Sequence, residues 1–267
     1  MNYWKDKVVV ITGGSSGLGR SIAGACAASG ARLVLAALGD SLLEQATDEL
    51  QAAGCVTLGV PTDITRQESV DAMIAATLER FGRIDVLVNC AGRSTRGEVL
   101  ATTPEQFQNL LDLNFLATVR CTRAAASHLI AAKGNLVNIG SLAAKTASKY
   151  LGAYPASKFP VAAYSQQLRY ELNPQGVHVL LVCPGPIARP DAGRRYDEQA
   201  SGLPESARKP GGGVKIKGVS QERLVAKIMR YCERRKPELV MPGKSRLLLA
   251  ISQLSPSLGD WIIGKMT

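Results

Sequence analysis

Tyr154-Pro-Ala-Ser-Lys158 sets a phenol and a primary amine four residues apart. If this segment opens a helix, where Pro155 is tolerated in the first turn, the two side chains share one face. A tyrosine of ordinary pKa about 10 needs a downward shift of ~3 units, or ~4 kcal/mol, to exchange protons readily near neutral pH. An ammonium about 5 Å away contributes ~3 kcal/mol at an effective dielectric near 20, so Lys158 supplies most of what Tyr154 needs. A Tyr-x-x-x-Lys spacing also describes an ordinary surface pair on a helix. Its meaning depends on what accompanies it.

The second chemical signal is Thr12-Gly-Gly-Ser-Ser-Gly-Leu-Gly19, which lies between the apolar run Val8–Ile11 and an amphipathic pattern at Leu18, Ile22, Ala25, Cys26 and Ser29. A strand, a glycine-rich turn and a helix in that order form an anion site. Glycines let the backbone approach a pyrophosphate, and the unsatisfied N–H groups and dipole of the helix start face it. The order of elements, more than the glycines, points to a dinucleotide.

The elements that position these residues recur along the chain. Val8–Ile11, Arg32–Ala36, Cys55–Val60, Ile84–Val88, Leu136–Ile139, Val177–Val182 and Glu238–Met241 each read as a short β-rich strand. Helical stripes lie between them, as at Val70, Met73, Ile74, Thr77 and Phe81, or Val161, Ser165, Leu168 and Leu172. This repetition predicts an α/β domain over residues 1–245 with a parallel sheet covered by helices on both faces. The regularity breaks in 186–218, where four prolines and Gly211-Gly-Gly213 read as a mobile substrate lid over the carboxyl ends of the strands. Residues 246–267 read as an amphiphilic tail, too short and broken to span a bilayer. It is expected to pack on its own domain or a sister subunit, with peripheral membrane contact as the lesser alternative.

Composition narrows the function classes. The chain has 267 residues, of which 46% are hydrophobic, 20% charged and 5% aromatic, which excludes a disordered or multi-span membrane protein. Its six cysteines, at 26, 55, 90, 121, 183 and 232, form no CxxC pair and no histidine cluster. They read as buried hydrophobes, with no metal site, and with no secretory signal at the start the expected setting is a reducing cytoplasm. Net charge is +10, and residues 189–246 hold 15 Lys and Arg against 7 Asp and Glu. Without interleaved aromatics this basic quarter predicts no nucleic-acid partner. His128 and His178 are far from the motif residues in sequence, which argues against a Ser-His-Asp hydrolase. Arg93, Arg96, Lys145 and Lys149 read as solvated loop cations that flank the entrance, with attraction of an anionic carboxylate or acyl carrier as the alternative.

Taken together, the motifs resemble the short-chain dehydrogenase/reductase family. The marks are Thr12-Gly-x-x-x-Gly-x-Gly19, Asp63, Asn89-Cys-Ala-Gly92, Asn114, Ser141, Tyr154, Lys158 and Pro184-Gly185, in family order over residues 7 to 188. The resemblance implies a Rossmann-like, doubly wound seven-stranded parallel sheet and an NAD(P)-dependent oxidoreductase that interconverts a ketone and a secondary alcohol. It implies that Gly13, Ser15, Ser16, Gly17, Leu18 and Gly19 hold the cofactor diphosphate and that Leu38, Asp63 and Ile64 meet its adenosine half. Asn89, Ala91, Gly92, Pro184, Gly185 and Ile187 line the rest. In the catalytic set, Tyr154 is implied as acid/base and Ser141 as hydrogen-bond donor to the substrate oxygen. Lys158 is implied to bind the nicotinamide ribose and lower the Tyr154 pKa, and Asn114 to hold a relay water.

Some residues depart from the family pattern. Ala37 and Leu38 occupy the place of the acidic or basic residue that selects NAD or NADP, and the lack of a repelling carboxylate tilts the expectation to NADP(H) over NAD(H), with Arg20 or a lid cation as phosphate partner. Arg189 stands where a threonine often meets the nicotinamide carboxamide. Pro160, inside the helix that Tyr154 opens, predicts a kink or a bound water. A regulatory or assembly protein that binds the cofactor without turnover is the alternative function. The expected partners are a small ketone or alcohol and further copies of the chain in a dimer or tetramer, paired through helices near 104–131 and 154–172.

Overall fold

The computed structural model describes residues 2–39, 41–188, 194–214 and 218–266. Seven strands carry the molecule: β1 Val8–Thr12, β2 Arg32–Ala37, β3 Thr57–Pro61, β4 Val86–Asn89, β5 Asn135–Ile139, β6 His178–Pro184 and β7 Glu238–Met241. They form one parallel sheet in the order β3-β2-β1-β4-β5-β6-β7. The fold class expected from the alternating pattern is thus the one observed. The order reverses between β1 and β4, which opens a crevice at the carboxyl ends of those strands.

Helices α1 Gly17–Ala28, α2 Ser41–Ala52, α3 Gln67–Phe81, α4 Pro104–Leu111, α5 Ala117–Ala132 and α6 Tyr154–Leu172 follow in turn. After β6 come α7 Glu205–Arg208, α8 Gln221–Glu233, α9 Ser245–Leu254 and α10 Pro256–Met266. Side-chain alternation in β1 splits the core into two layers. Val9 and Ile11 face Ile22 and Cys26 of α1, Leu43 and Leu50 of α2, and Leu224, Ile228 and Cys232 of α8. Val10 faces Val70 and Met73 of α3, Cys121 and Leu129 of α5, and Leu168 and Leu172 of α6. Strands buried on both faces explain why their sequences are continuous aliphatic runs.

The strand ends differ by one to two residues from the sequence reading, and the shift matters at β1 and β4. Thr12 pairs with Asn89, and Asn89 with Asn138, so each strand carries a polar residue to the crevice edge. Pro160 does not break α6, which runs unbroken from Tyr154 to Leu172. Lys158, Val161 and Ser165 are buried on its inner side, and that packing outweighs a lost hydrogen bond and ring clash worth ~3 kcal/mol. The helix expected near 104–131 is interrupted by a π-helical turn at Asp112–Leu116.

The cysteines are free thiols, and Cys26, Cys121, Cys183 and Cys232 are buried. Burial pushes Cys26, Cys121 and Cys183 up to about 12, which keeps them protonated. Among the described residues no cluster could hold a metal ion, and no helix is long and apolar enough to cross a membrane. The tail is two helices folded on each other. Gly259 is their point of closest approach, where a Cβ would fall 2.6 Å from the Ser252 Cα.

Candidate active site

The glycine turn after β1 meets the demands of a diphosphate cradle. Gly13 takes φ +66° and its N–H donates to the Ala36 oxygen at 2.7 Å, which pins the turn to β2. Gly17 takes φ +52° as the first residue of α1. At Gly19 a Cβ would stand 2.2 Å from the Gly13 oxygen, so no side chain fits there. The first turn of α1 carries no acidic residue, and Ser16 makes no side-chain cap. The helix start therefore keeps N–H groups and positive dipole for an anion.

Thr12 holds the opposite rim. Its hydroxyl oxygen accepts the N–H groups of Cys90 at 3.0 Å and Ala91 at 3.2 Å, which fastens the turn after β4 beside the glycine cradle. The sequence motif includes this residue but assigns it no role, although its place directly before the glycines was the available signal. Gly13, Ser15, Ser16, Gly17, Leu18, Gly19, Leu38, Asp63, Ile64, Ala91, Gly92, Pro184, Gly185 and Ile187 all border one cleft of about 740 Å³, with Ser141, Tyr154 and Lys158. Asp63 accepts the Thr65 hydroxyl at 2.6 Å and its N–H at 2.9 Å, and these bonds hold its carboxyl below the usual range.

Asn89 is placed otherwise than expected. Its amide donates to Thr122 at 3.1 Å and to Asn138 at 2.9 Å, inside the packing of β4 against β5 and α5, and it does not border the cleft. The last residue of a strand alternates with its neighbours, and here the cleft side falls to Cys90, Ala91 and Gly92. Arg20, expected as a phosphate partner, pairs with Glu49 at 2.9 Å and is not among the residues that border the cleft. Arg189 and the cations Lys215 and Lys217 lie outside the described residues.

The polar centre is built from three elements. Ser141 follows β5 and caps the short turn Leu142–Ala144, its oxygen accepting the Ala143 N–H at 3.1 Å. Tyr154 opens α6, and the hydroxyls of Ser141 and Tyr154 are hydrogen-bonded. One turn on, Lys158 is buried and its Nζ donates to the Ile139 oxygen at 3.0 Å. The spacing thus brings these residues together, but their electrostatics differ from the sequence reading. Burial raises Tyr154 above its ordinary value, the Ser141 bond opposes this, and the cation acting on it is Arg96 rather than Lys158. Burial brings Lys158 itself down to about 8. An ammonium so desolvated gives up part of the charge it was expected to lend.

Asn114 belongs to the same assembly without bordering the cleft. The π-helical turn aims its side chain at the strand ends, a geometry common at functional sites. The carbonyl accepts the Arg93 N–H at 2.9 Å, and the amide donates to the Arg93 oxygen and the Ser157 hydroxyl, each at 2.9 Å. Its amide protons are therefore committed to clamping the β4 turn onto α6. Gly92 leaves room for this clamp, since a Cβ there would lie 2.6 Å from the Asn114 Oδ1.

Two of the four loop cations are not solvated as expected. Lys145 pairs with Glu238 at 2.7 Å. Arg96 is buried, donates to the oxygens of Ala207 at 2.8 Å and Lys209 at 3.3 Å, and stacks 3.7 Å from the Tyr196 ring centroid. Residues beyond the reach of sequence patterns complete the wall: Arg195, Tyr196, Pro210, Gly211 and Val214 from the segment after β6, and Leu248, Leu249, Ile263 and Met266 from the tail.

Comparison with known proteins agrees with this construction. The short chain dehydrogenase family profile matches residues 7–200. An uncharacterized oxidoreductase of Bacillus subtilis, YxnA, is 30% identical over 266 residues, covering 98% of this chain and 72% of that protein. A short-chain dehydrogenase/reductase from Burkholderia phymatum, solved with NAD, superimposes with a TM-score of 0.83 at 23% identity, covering 97% of this chain and 96% of the other. L-Sorbose reductase from Gluconobacter frateurii, solved with NADPH and L-sorbose, gives a TM-score of 0.80 at 26% identity over 91% of this chain and 97% of its own. With fold, glycine cradle and hydroxyl pair in place, the chain belongs to the short-chain dehydrogenase/reductase family and is an oxidoreductase.

Proposed function

We propose that the protein interconverts a ketone and a secondary alcohol by hydride transfer with NAD(P)(H), Tyr154 serving as acid/base. The observation that carries this reading is the Ser141–Tyr154 hydroxyl pair, which lines the same cleft as the Gly13–Gly19 cradle. The cradle fits a dinucleotide because a Cβ at Gly19 would close it and because α1 leaves its first turn uncapped. When bound, the nicotinamide supplies or accepts the hydride. Tyr154 gives its proton to the carbonyl oxygen in reduction and takes it back in oxidation. Ser141 donates a second hydrogen bond to that oxygen. Lys158 orders the ribose side of the cleft, and Asn114 keeps the β4 turn and α6 at fixed distance.

The preference is NADP(H) over NAD(H). Leu38 lies exposed after β2 and brings no carboxylate to repel a 2′-phosphate. Residues 186–218 act as the substrate lid. Copies of the chain pair through the π-helical turn that leads into α5 and through α6, where Leu116, Phe159 and Tyr170 are exposed apolar side chains.

Tyr154→Phe tests the reading. The variant should bind NADPH as the parent does, by nucleotide fluorescence, and lose ketone-dependent NADPH oxidation by at least about 100-fold. Turnover within a factor of a few of the parent would remove Tyr154 from the role of acid/base. Thermal shifts with NADP and NAD at equal concentration rank the two cofactors.

A further inference from the structure

The hairpin of α9 and α10 has two unlike faces. Leu247, Leu254 and Trp261 point to solvent, whereas Leu248, Leu249, Ile263 and Met266 border the cleft that holds Tyr154. Leu249 also packs on the apolar group that contains Leu142, the residue after Ser141. The hairpin is thereby anchored beside the hydroxyl pair rather than at the cofactor cradle. Ser245 is buried at its start, and the Arg246 guanidinium donates to the Glu238 oxygen of β7 at 2.8 Å.

The other walls near Tyr154 continue this apolar lining with Leu142, Leu151, Pro186 and Val214. Arg96 is the cation whose field reaches Tyr154, yet it offers no fork to a carboxylate. Its Nε donates to the Ala207 oxygen, one Nη to the Ser94 hydroxyl and the Thr95 oxygen, and the other Nη to the Lys209 oxygen. A buried guanidinium so committed rejects a new anion, because the carboxylate would lose its water without gaining a bidentate partner. Arg93 and Arg195 also border the cleft, but both are exposed, where an ion pair contributes little.

We infer that the substrate is an uncharged, hydrophobic ketone or its carbinol, whose hydrocarbon part lies against Leu248, Leu249, Ile263 and Met266. The C-terminal hairpin sets substrate size. This rests on the ketone–carbinol reading of the site, and it adds the class of ketone and the residues that select it. Hydride and proton together convert the carbonyl to the carbinol, so no further reactant is needed.

The test is kinetic, on the full chain with saturating NADPH or NADH and a series of 2-alkanones from butanone to 2-dodecanone. Each methylene that reaches the hairpin should raise kcat/KM by about 4-fold until the wall is filled. A keto acid of equal length should be the poorer substrate. Ile263→Asp and Met266→Gln should flatten the chain-length gradient, and nucleotide fluorescence reports that each variant still binds cofactor. Should Ile263→Asp fail to fold, Met266→Gln alone decides. A gradient absent in the parent, a gradient untouched by the variants, or a preference for the keto acid overturns the inference and leaves the reaction type standing. Failure of every ketone and carbinol while both nucleotides bind removes the reaction type itself, and the inference with it.

Discussion

The Lys158 Nζ donates to the Ile139 main-chain oxygen at 3.0 Å, which ties the second turn of α6 to the carboxyl end of β5. Both residues line the cleft, and the ammonium is desolvated.

Burial brings Lys158 to about 8 against an ordinary value of 10.5. The unfolded chain therefore binds more protons between those values, and the folding free energy gains with rising pH across that window. Below pH 8 the full penalty of burying the ammonium is present, roughly 3 kcal/mol. The stability difference between parent and Lys158→Met should therefore grow in the parent's favour by about that amount from pH 8 to 10.5. Urea unfolding at several pH values measures it, and a difference flat with pH would contradict the buried ammonium.

Gly19 allows no Cβ, since one would stand 2.2 Å from the Gly13 oxygen. Gly19→Ala must push the glycine turn away from α1. The expected result is loss of NAD(P) affinity by at least about 10-fold, read by fluorescence titration, with the Tyr154 chemistry otherwise intact at saturating cofactor. Unaltered affinity would place the diphosphate elsewhere.

Arg96 joins the turn after β4 to the oxygens of Ala207 and Lys209 across the cleft mouth. Arg96→Met removes charge-assisted bonds worth about 1.5–3 kcal/mol each. Trypsin should then cut after Arg208 at least about 10-fold faster, because the segment opens more often. Since the guanidinium also lowers Tyr154, the alkaline limb of the pH–rate profile should move upward in pH. Unchanged proteolysis would show that the segment is held by other contacts.

His178 is buried in β6, its Nδ1 2.9 Å from the Asn135 Oδ1 and its Nε2 3.0 Å from the Lys236 oxygen. Desolvation, with Arg235 and Arg169 nearby, takes it down to about 4. Both partners are acceptor oxygens, so the neutral ring, which carries one N–H, donates to only one of them. Stability from this group is complete above pH 6.5 and is lost as pH falls toward 4, by about 3 kcal/mol. His178→Gln should show a shallower loss over that range in thermal melts, and parallel curves would refute the neutral ring.

The sequence by itself determined the sheet, because strands buried on both faces must be aliphatic runs and their spacing with helices admits one crossover hand. It also determined that Gly13, Gly17 and Gly19 form a turn before a helix, and that Tyr154 and Lys158 share a helix face, since these are local consequences of residue type and period. Tertiary structure decided what local patterns do not encode. The π-helical turn at Asp112–Leu116 aims Asn114 at Arg93 and Ser157, although the same residues read as plain helix. Arg96, an ordinary loop cation in sequence, is buried by carbonyls more than a hundred residues away. Asn89 turns inward because strand register, not motif, chooses its side. The apolar tail reads as a packing surface until its fold over Ser245 and Gly259 brings Ile263 and Met266 to the cleft. Burial and pKa depend on which distant groups exclude water, and that is a property of the assembled chain.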